Sequence, residues 1–267
     1  MYTAPFNYVR AETLAEAEGL FRQSLDARYI AGGQTLIPTM KQRLAAPSDL
    51  IDIARIASLR FIRREANALV IGAGTPHAEV AASDVVRSAI PALAALAGEI
   101  GDPAVRHKGT LGGSVANNDP AADYPAGVLG LGAQIKTTAR TIAADEFFTG
   151  MFETALKPGE IITAISFPLP RRGGYAKFPN PASRYAMVGV FVADFPGGVR
   201  VAVTGAAPCV FRFAEMEAAL AGNFAPDAIA GIAIPSDDFN SDLFGSAEYR
   251  AHLVGIMAKR AIAAAML

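Results

Sequence analysis

The chain has 267 residues, of which 52% are hydrophobic and 18% charged, and its formal net charge at pH 7 is −1. This composition excludes a disordered chain, and the near-neutral charge argues against a nucleic-acid-binding surface or a polybasic membrane anchor. The single cysteine, Cys209, excludes an intramolecular disulfide and a cysteine-rich metal or cluster site. The sequence has no secretory signal pattern and no apolar run that could span a bilayer, so we expect a cytoplasmic protein.

The first 55 residues predict a small β-α-β-α-β unit. Residues 6–9 predict a strand, and Thr13 to Glu16 form a capping box that opens a helix running to about residue 26. A second strand at residues 28–31 leads into a glycine turn, which is followed by a helix at 36–44 and a strand at 49–53. The alternation of strands and helices predicts one compact α/β element.

The next segment, to about residue 170, predicts helices between strands. Residues 61–64 and 69–71 predict a hairpin, and Thr75-Pro76 opens two helices at about 75–89 and 91–100. A further helix begins near Pro125, and strands follow at 134–138, 140–143 and 161–167. Residues 168–174, with the sequence PLPRRGG, predict a linker.

Beyond this linker the pattern predicts a second domain of α+β type. Residues 187–194 and 199–205 flank a Pro-Gly-Gly turn and predict a hairpin. Helices are expected near residues 214–221 and from about Ser246 to the end. The chain is therefore expected to have two domains of ordinary size.

Two glycine pairs, each accompanied by hydroxyl residues, are the main functional signal. Gly32-Gly33 precedes Gln34-Thr35, and Gly112-Gly113 lies between Thr110-Leu111 and Ser114. A glycine pair permits positive φ angles, and successive N–H groups can then converge on an anion. Two such segments predict a single dinucleotide ligand whose pyrophosphate lies between them. The chain contains no Rossmann or P-loop fingerprint, which excludes these two nucleotide-binding folds.

Charged residues around the second glycine pair strengthen this prediction. Arg106, His107 and Lys108 precede it and offer three cationic side chains suited to a phosphate. Asp119 and Asp123 follow it, and each has the form of a helix cap. One reading makes one aspartate a cap and the other a ligand for a hydroxyl group of the dinucleotide. The alternative reading makes both aspartates caps.

Other catalytic chemistries find little support in the sequence. Residues 112–116 resemble a nucleophile elbow, but only His252 follows, in an ordinary helix pattern, so a hydrolase is disfavoured. His77, His107 and His252 have no metal-ligand spacing, and His77 is expected at the surface. We therefore expect no catalytic and no metal-ligating residue in this chain.

Four stretches resemble the FAD-binding medium subunit of molybdenum hydroxylases. Residues 29–38 (YIAGGQTLIP) resemble its first flavin loop, and residues 106–126 (RHKGTLGGSVANNDPAADYPA) resemble its second loop closely. Residues 157–162 (KPGEII) and 175–178 (YAKF) match later stretches in the same order. This family contains the medium chains of aerobic carbon monoxide dehydrogenase and the flavin domain of xanthine dehydrogenase.

The resemblance implies an α+β fold of the PCMH or vanillyl-alcohol-oxidase type. It implies an FAD-binding domain at residues 1–170, with subdomains at about 1–55 and 56–170. Residues 171–267 would form a C-terminal domain like that of the carbon monoxide dehydrogenase flavoprotein, with a three-stranded antiparallel sheet and helices. The stretch from about Asn223 to Ser246 departs from the family pattern and predicts a reduced C-terminal domain.

The resemblance also implies which residues bind FAD, without a covalent link. Asp123 would bind a hydroxyl-bearing part of the cofactor, Ile162 would line the flavin pocket, and Lys177 and Asn180 compete for a place near the isoalloxazine. Tyr185 would stack on the ring or belong to the core. The implied set comprises Tyr29, Ile30, Ala31, Gly32, Gly33, Gln34, Thr35, Leu36, Ile100, Thr110, Leu111, Gly112, Gly113, Ser114, Asp123, Ile162, Lys177, Asn180 and Tyr185.

The resemblance finally implies an electron-transfer subunit of a heterotrimeric oxidoreductase. A large subunit with a molybdenum–pterin cofactor and a small subunit with [2Fe–2S] clusters would be its partners, in a dimer of heterotrimers. Peripheral association with a membrane through this complex, the substrate and the electron acceptor stay open. The alternatives are a self-contained flavin oxidase of the same fold superfamily and a scaffold that has lost FAD.

Overall fold

The computed structural model describes residues 2–267, which form three main sheets in succession along the chain. A three-stranded parallel sheet is followed by a five-stranded and then by a four-stranded antiparallel sheet, and a two-stranded ribbon lies apart from them. The strands are β1 (Asn7–Arg10), β2 (Ala27–Ile30), β3 (Asp49–Asp52), β4 (Ile62–Arg64), β5 (Ala68–Gly72), β6 (Gln134–Thr137), β7 (Thr141–Ala143), β8 (Phe148–Gly150), β9 (Glu153–Thr154), β10 (Ile162–Pro168), β11 (Arg172–Pro179), β12 (Ala186–Phe195), β13 (Gly198–Thr204) and β14 (Phe211–Arg212).

The helices surround these sheets, and none within residues 2–267 has both the length and the hydropathy needed to cross a membrane. They are α1 (Leu14–Gln23), α2 (Leu36–Lys41), α3 (His77–Ala82), α4 (Asp84–Ala89), α5 (Pro91–Gly98), α6 (Pro103–Lys108), α7 (Leu111–Asn117), α8 (Tyr124–Gly130), α9 (Ala144–Phe147), α10 (Ala214–Gly222) and α11 (Ala247–Ala264). The mixture of helices and largely antiparallel sheets is the expected α+β class.

The N-terminal unit has the predicted β-α-β-α-β order. Its sheet has the strand order β1-β3-β2, and the side chain of Thr13 accepts the N–H of Glu16 at the start of α1, as the capping box predicts. Helix α2 ends at Lys41 instead of residue 44, because Arg43 adopts a left-handed conformation with φ 58°. The unit packs on the next through a cluster that includes Ile51, Leu59 and Ile161.

The middle unit differs from its prediction in its helices. The helix expected at 75–89 is divided into α3 and α4, because Ser83 is extended and its side chain caps α4 at Val86. Helices α6 and α7 were not expected, and α7 includes the second glycine pair. That pair is therefore part of a helix and not of a loop. The N-cap of α7 is Thr110, whose hydroxyl accepts the N–H of Gly113 at 3.1 Å.

The C-terminal sheet corrects two expectations. It has four strands in the order β11-β12-β13-β14 instead of three, since residues 211–212 pair with β13. The linker expected at 168–174 is reduced to residues 169–171, because β11 begins at Arg172. Gly174 belongs to this strand and not to a flexible joint: a Cβ there would lie 1.9 Å from the carbonyl oxygen of Ala261 in α11. The glycine lets the helix approach the sheet closely. The domain boundaries themselves stay a prediction.

Candidate functional site

The two glycine segments lie against each other. The first follows β2, and the second spans the junction of α6 and α7. A Cβ on Gly32 would lie 2.3 Å from the carbonyl oxygen of Lys108 and 2.7 Å from the Cα of Gly109. No side chain fits at that contact, so the backbones of the two segments meet only because residue 32 is glycine. The structure thus brings together the two segments that the sequence predicts to share a ligand.

The first segment presents unpaired backbone donors. Gly33 has φ +70°, and the N–H groups of residues 32–36 have no acceptor among residues 2–267. The side chain of Thr35 makes no capping hydrogen bond at the start of α2, although it occupies the N-cap position. Successive free N–H groups around a left-handed residue form an anion-binding concavity. This segment can bind a phosphate as predicted.

The second segment uses its backbone donors internally. The N–H of Leu111 donates to Thr75 at 3.0 Å, and that of Gly112 donates to Ala73 at 2.8 Å. The N–H groups of Gly113 and Ser114 are taken by the hydroxyl and the carbonyl of Thr110. The predicted convergence of these N–H groups on an anion is therefore not what the structure shows. The segment offers instead the exposed backbone of Gly113 and the half-buried side chain of Ser114.

The basic residues before the second segment are partly committed to the protein. Arg106 donates through Nη1 to the carbonyl oxygens of Ile100 and Gly101 at 3.0 and 2.9 Å. The Nδ1–H of His107 donates to Pro103 at 2.7 Å. Ile100, which belongs to the predicted FAD-binding set and accepts the hydrogen bond from Arg106, packs its side chain against the largest core cluster. Lys108 is exposed and its side chain makes no hydrogen bond or ion pair within residues 2–267, whereas Arg106 and His107 keep only their remaining nitrogens for a phosphate.

Neither aspartate of the second segment caps a helix through its side chain, so the reading of both as caps is wrong, and so is the cap in the reading of one cap and one ligand. Asp119 accepts the N–H of Ala121 at 2.9 Å and forms a local turn. Asp123 precedes α8, but its side chain makes no capping bond. Its Oδ1 lies 2.8 Å from the Nζ of Lys177 and accepts the hydroxyl of Tyr175 at 2.6 Å. Burial raises the pKa of Asp123, whereas Lys177 and Tyr175 act to lower it.

Lys177, besides its pairing with Asp123, is bonded to the segment that carries Tyr185. Its Nζ donates to the carbonyl oxygens of Glu99 and Arg184 at 2.8 and 3.0 Å. Asn180 shapes the same segment, because its Oδ1 accepts the N–H groups of Ala182 and Ser183 at 2.9 and 3.1 Å. Both residues are thus held inside the protein, and their contact with a flavin stays a prediction.

Three aromatic and aliphatic residues of the predicted set have different surroundings. Tyr185 lies outside β12 and is 43% exposed, so its assignment to the core is wrong. Ile162 is only 5% exposed and belongs to the largest core cluster. Tyr29 stacks on Phe21 at 5.0 Å and donates to Gly159, and burial raises its pKa to about 12. Tyr185 alone of the three is open to a ligand.

Two buried residues of this region were not predicted from the sequence. Tyr175, which donates to Asp123, could have been found, because it lies two residues from Lys177 in a strand and shares its face. His77 was expected at the surface but is 4% exposed and lies against Gly109. Burial, with a smaller effect of Arg106, lowers the pKa of His77 to about 4. No sequence pattern indicates this burial.

Comparison with known proteins supports the FAD assignment. The family described as the FAD binding domain in molybdopterin dehydrogenase matches residues 4–170. The carbon monoxide dehydrogenase medium chain of Hydrogenophaga pseudoflava is 36% identical over 97% of this chain and 96% of its own length. The glyceraldehyde dehydrogenase medium chain of Sulfolobus acidocaldarius is 34% identical over 98% of both chains.

Solved structures show the same fold over the whole length. A carbon monoxide dehydrogenase structure from Hydrogenophaga pseudoflava matches with a TM-score of 0.91 and 37% identity, over 100% of this chain and 99% of that chain. Quinoline 2-oxidoreductase from Pseudomonas putida matches with a TM-score of 0.91 and 28% identity, over 99% of this chain and 98% of that chain. These matches include the C-terminal sheet, which the family model does not cover.

Proposed function

This chain belongs to the FAD-binding subunits of molybdopterin dehydrogenases, which are oxidoreductases, and from that premise we propose that it carries electrons within such a complex. Electrons would enter from a [2Fe–2S] subunit, pass through FAD and leave to an external acceptor. The observation that carries the proposal is the contact of Gly32 with Lys108 and Gly109, beside a run of free N–H groups.

The residues present fit FAD. The free N–H groups of residues 32–36 match an anionic pyrophosphate, and the close backbone approach at Gly32 places the second glycine segment next to these donors. We assign the pyrophosphate to these donors, with Gly113 and Ser114 opposite them and the exposed Tyr185 available to the flavin ring. When bound, FAD supplies the redox chemistry, and the protein binds and orients it.

The ionisable groups of the site favour an electron-transfer subunit over a self-contained oxidase. Such an oxidase needs an acid or base that reaches its own organic substrate. The side chains of Asp123 and Lys177 are 4% and 2% exposed and are paired with each other. Lys177 also donates to the carbonyl oxygens of Glu99 and Arg184, and Asp123 also accepts from Tyr175, so both charged groups are used to hold the protein interior together.

Exposed apolar side chains support the proposal of partner subunits. Met151 and Phe152, in the β8–β9 turn, are 49% and 55% exposed, and Leu243 and Phe244 are 100% and 61% exposed. Each pair is adjacent in sequence and exposed, which makes it a candidate part of an apolar contact surface. We propose a molybdenum–pterin large subunit and a [2Fe–2S] small subunit as partners, in a cytoplasmic dimer of heterotrimers. Relatives are named as medium chains of carbon monoxide and glyceraldehyde dehydrogenases, so the substrate class is not assigned.

An anaerobic reduction experiment tests the proposed function. The chain is isolated with its co-purifying proteins, and the flavin absorbance is followed after addition of candidate substrates to the complex and to the chain alone. We expect bleaching only in the complex. Bleaching or turnover by the isolated chain with an organic substrate would favour the self-contained oxidase. Failure of the isolated chain and of the complex to take up FAD would favour the scaffold that has lost its cofactor.

A further inference from the structure

His77 lies directly behind the contact between the two glycine segments. A Cβ on Gly109 would lie 2.6 Å from the Nε2 and 2.8 Å from the Cδ2 of His77, so the imidazole occupies the space of a side chain at residue 109. Gly109 also meets Gly32, whose own Cβ would lie 2.7 Å from the Cα of Gly109. The backbone of Gly109 is therefore in close contact with both an imidazole ring and the first glycine segment.

The imidazole is held firmly in this position. The backbone N–H of His77 donates to the carbonyl of Gly109 at 3.0 Å, and Pro76 and Thr110 form a β-bridge. The ring packs against Tyr124 with 5.3 Å between centroids. Both side chains are at most 4% exposed. Because protein interiors are close-packed, a ring held in place determines how closely the segment beside it can approach.

Hydrogen bonding does not explain why the ring is there. The Nδ1 of His77 and the hydroxyl of Tyr124 are both buried, and neither has a hydrogen-bond partner among residues 2–267. What the ring contributes at Gly109 is a contact of shape, because it fills the space where a side chain at residue 109 would lie. Burial of the ring and, to a smaller extent, the positive charge of Arg106 lower the pKa of His77 and favour the neutral imidazole, which needs no counter-ion.

We propose that His77 is a positioning residue for FAD: its ring acts as a spacer behind Gly109 and sets the distance between the two glycine segments. Removal of the ring would let Gly109 move away from Gly32, and the FAD site would widen. The inference rests on the proposed placement of the pyrophosphate between these segments. A site must be held within about 0.5 Å of its productive geometry, so a shift by part of a ring thickness lowers affinity.

The spacer model predicts an unusual pattern of FAD affinities. We expect His77→Ala to raise the Kd for FAD by about tenfold, equivalent to about 1.4 kcal/mol. Gly109→Ala alone should also weaken binding, because its methyl group meets the imidazole. The double variant should regain affinity, because the methyl group then fills the vacated space and its nearest remaining neighbour is the carbonyl oxygen of Val105 at 3.1 Å.

The measurement is an FAD titration of the full chain by flavin fluorescence, together with thermal unfolding of the FAD-free proteins. Val80→Ala is the matched control, because Val80 lies on the same helix, is fully buried and belongs to the core. It should lower the unfolding temperature and leave the Kd within about twofold of the unsubstituted chain, since distant effects are nearly additive. His77→Phe, which keeps a ring of similar size, should retain FAD and unfold at a higher temperature.

Three results would overturn the spacer model. They are an unchanged Kd for His77→Ala, a double variant as weak as the product of the two single effects, or loss of FAD by a folded His77→Phe variant. If His77→Ala does not fold, His77→Phe still decides, because it keeps the ring. The unsubstituted chain separates this inference from the proposed function: absence of FAD binding there would refute the placement of FAD itself.

Discussion

A single methyl group at residue 32 should separate the two glycine segments. Gly32→Ala would place a Cβ 2.3 Å from the carbonyl oxygen of Lys108, whereas Cβ atoms keep at least 3.0 Å from other heavy atoms. The backbones must therefore move apart by at least about 0.7 Å, which exceeds the tolerance of about 0.5 Å for a preorganised site. Overpacking of this kind costs about 1–3 kcal/mol. We expect the Kd for FAD to rise by tenfold or more, since about 1.4 kcal/mol corresponds to a factor of ten.

The assay compares FAD affinity and stability in the same preparations. Fluorescence titration gives the Kd, and urea unfolding of the FAD-free protein gives the free energy of unfolding. Gly19→Ala is the control, since Gly19 lies within α1 and a Cβ there would meet nothing within 4 Å. That control should bind FAD normally and gain up to about 1 kcal/mol from helix propensity. A Gly32→Ala chain that binds FAD with unchanged affinity would refute the assignment of this contact to the cofactor site.

Three further predictions concern the surroundings of this contact. Lys177→Met leaves the buried carboxylate of Asp123 without its cation and should lower the free energy of unfolding in urea by about 3–5 kcal/mol. Adding Asp123→Asn should recover most of that free energy. A decrease below about 1 kcal/mol for Lys177→Met would contradict the buried pair. Gly112→Ala should destabilise the fold, because its Cβ would lie 2.5 Å from the Cβ of Ala73. Gly113→Ala meets only the capping hydroxyl of Thr110, at 2.8 Å, and should lower the unfolding temperature less than Gly112→Ala while weakening FAD binding. The pKa of His77 falls from 6.5 to about 4 on folding, so between these pH values the unfolded chain binds a proton and the folded chain does not. The free energy of unfolding should therefore fall by about 3 kcal/mol as the pH is lowered from 6.5 to 4. An equal pH dependence of unfolding in His77→Phe would refute this.

The sequence predicted most elements of the fold because their signals are local. The capping box at Thr13 and the Pro-Gly-Gly turn near residue 197 each depend on neighbouring residues. The helix start expected at Thr75 is displaced, because the Thr75 hydroxyl donates to the carbonyl of Phe61 and α3 begins at His77. Helix α7 was missed because glycine disfavours helices, and only the contact of Gly112 with Ala73 shows why a glycine is needed inside it. Helix α6 has no glycine and was missed although Asp102-Pro103 has the form of a helix start. Strand β11 was missed for a similar reason, since Gly174 is required by α11.

The site was predictable to a different degree. The glycine pairs themselves identified both segments, because the backbone conformation and close approach they need restrict the residue type strongly. The sequence did not show which N–H groups are free. In the second segment, N–H groups donate to the carbonyls of Ala73 and Thr75, which lie in a distant part of the sequence. The burial of His77 and the pairing of Asp123 with Lys177 are likewise tertiary facts without a local signal.

The backbone N–H groups of the first segment are free, whereas those of the second are bonded within the protein, so we assign the two segments different roles in the proposed FAD site. The first supplies free donors on a short loop and can form hydrogen bonds to a pyrophosphate without breaking existing ones. The second is tied to Ala73 and Thr75 and supported by His77 from behind, so it serves as the rigid wall against which the first segment is placed. Binding energy is then not spent on reorganising the wall, which favours high affinity. Substitutions in the first segment should therefore remove donors, whereas substitutions behind the second should change the spacing of the site.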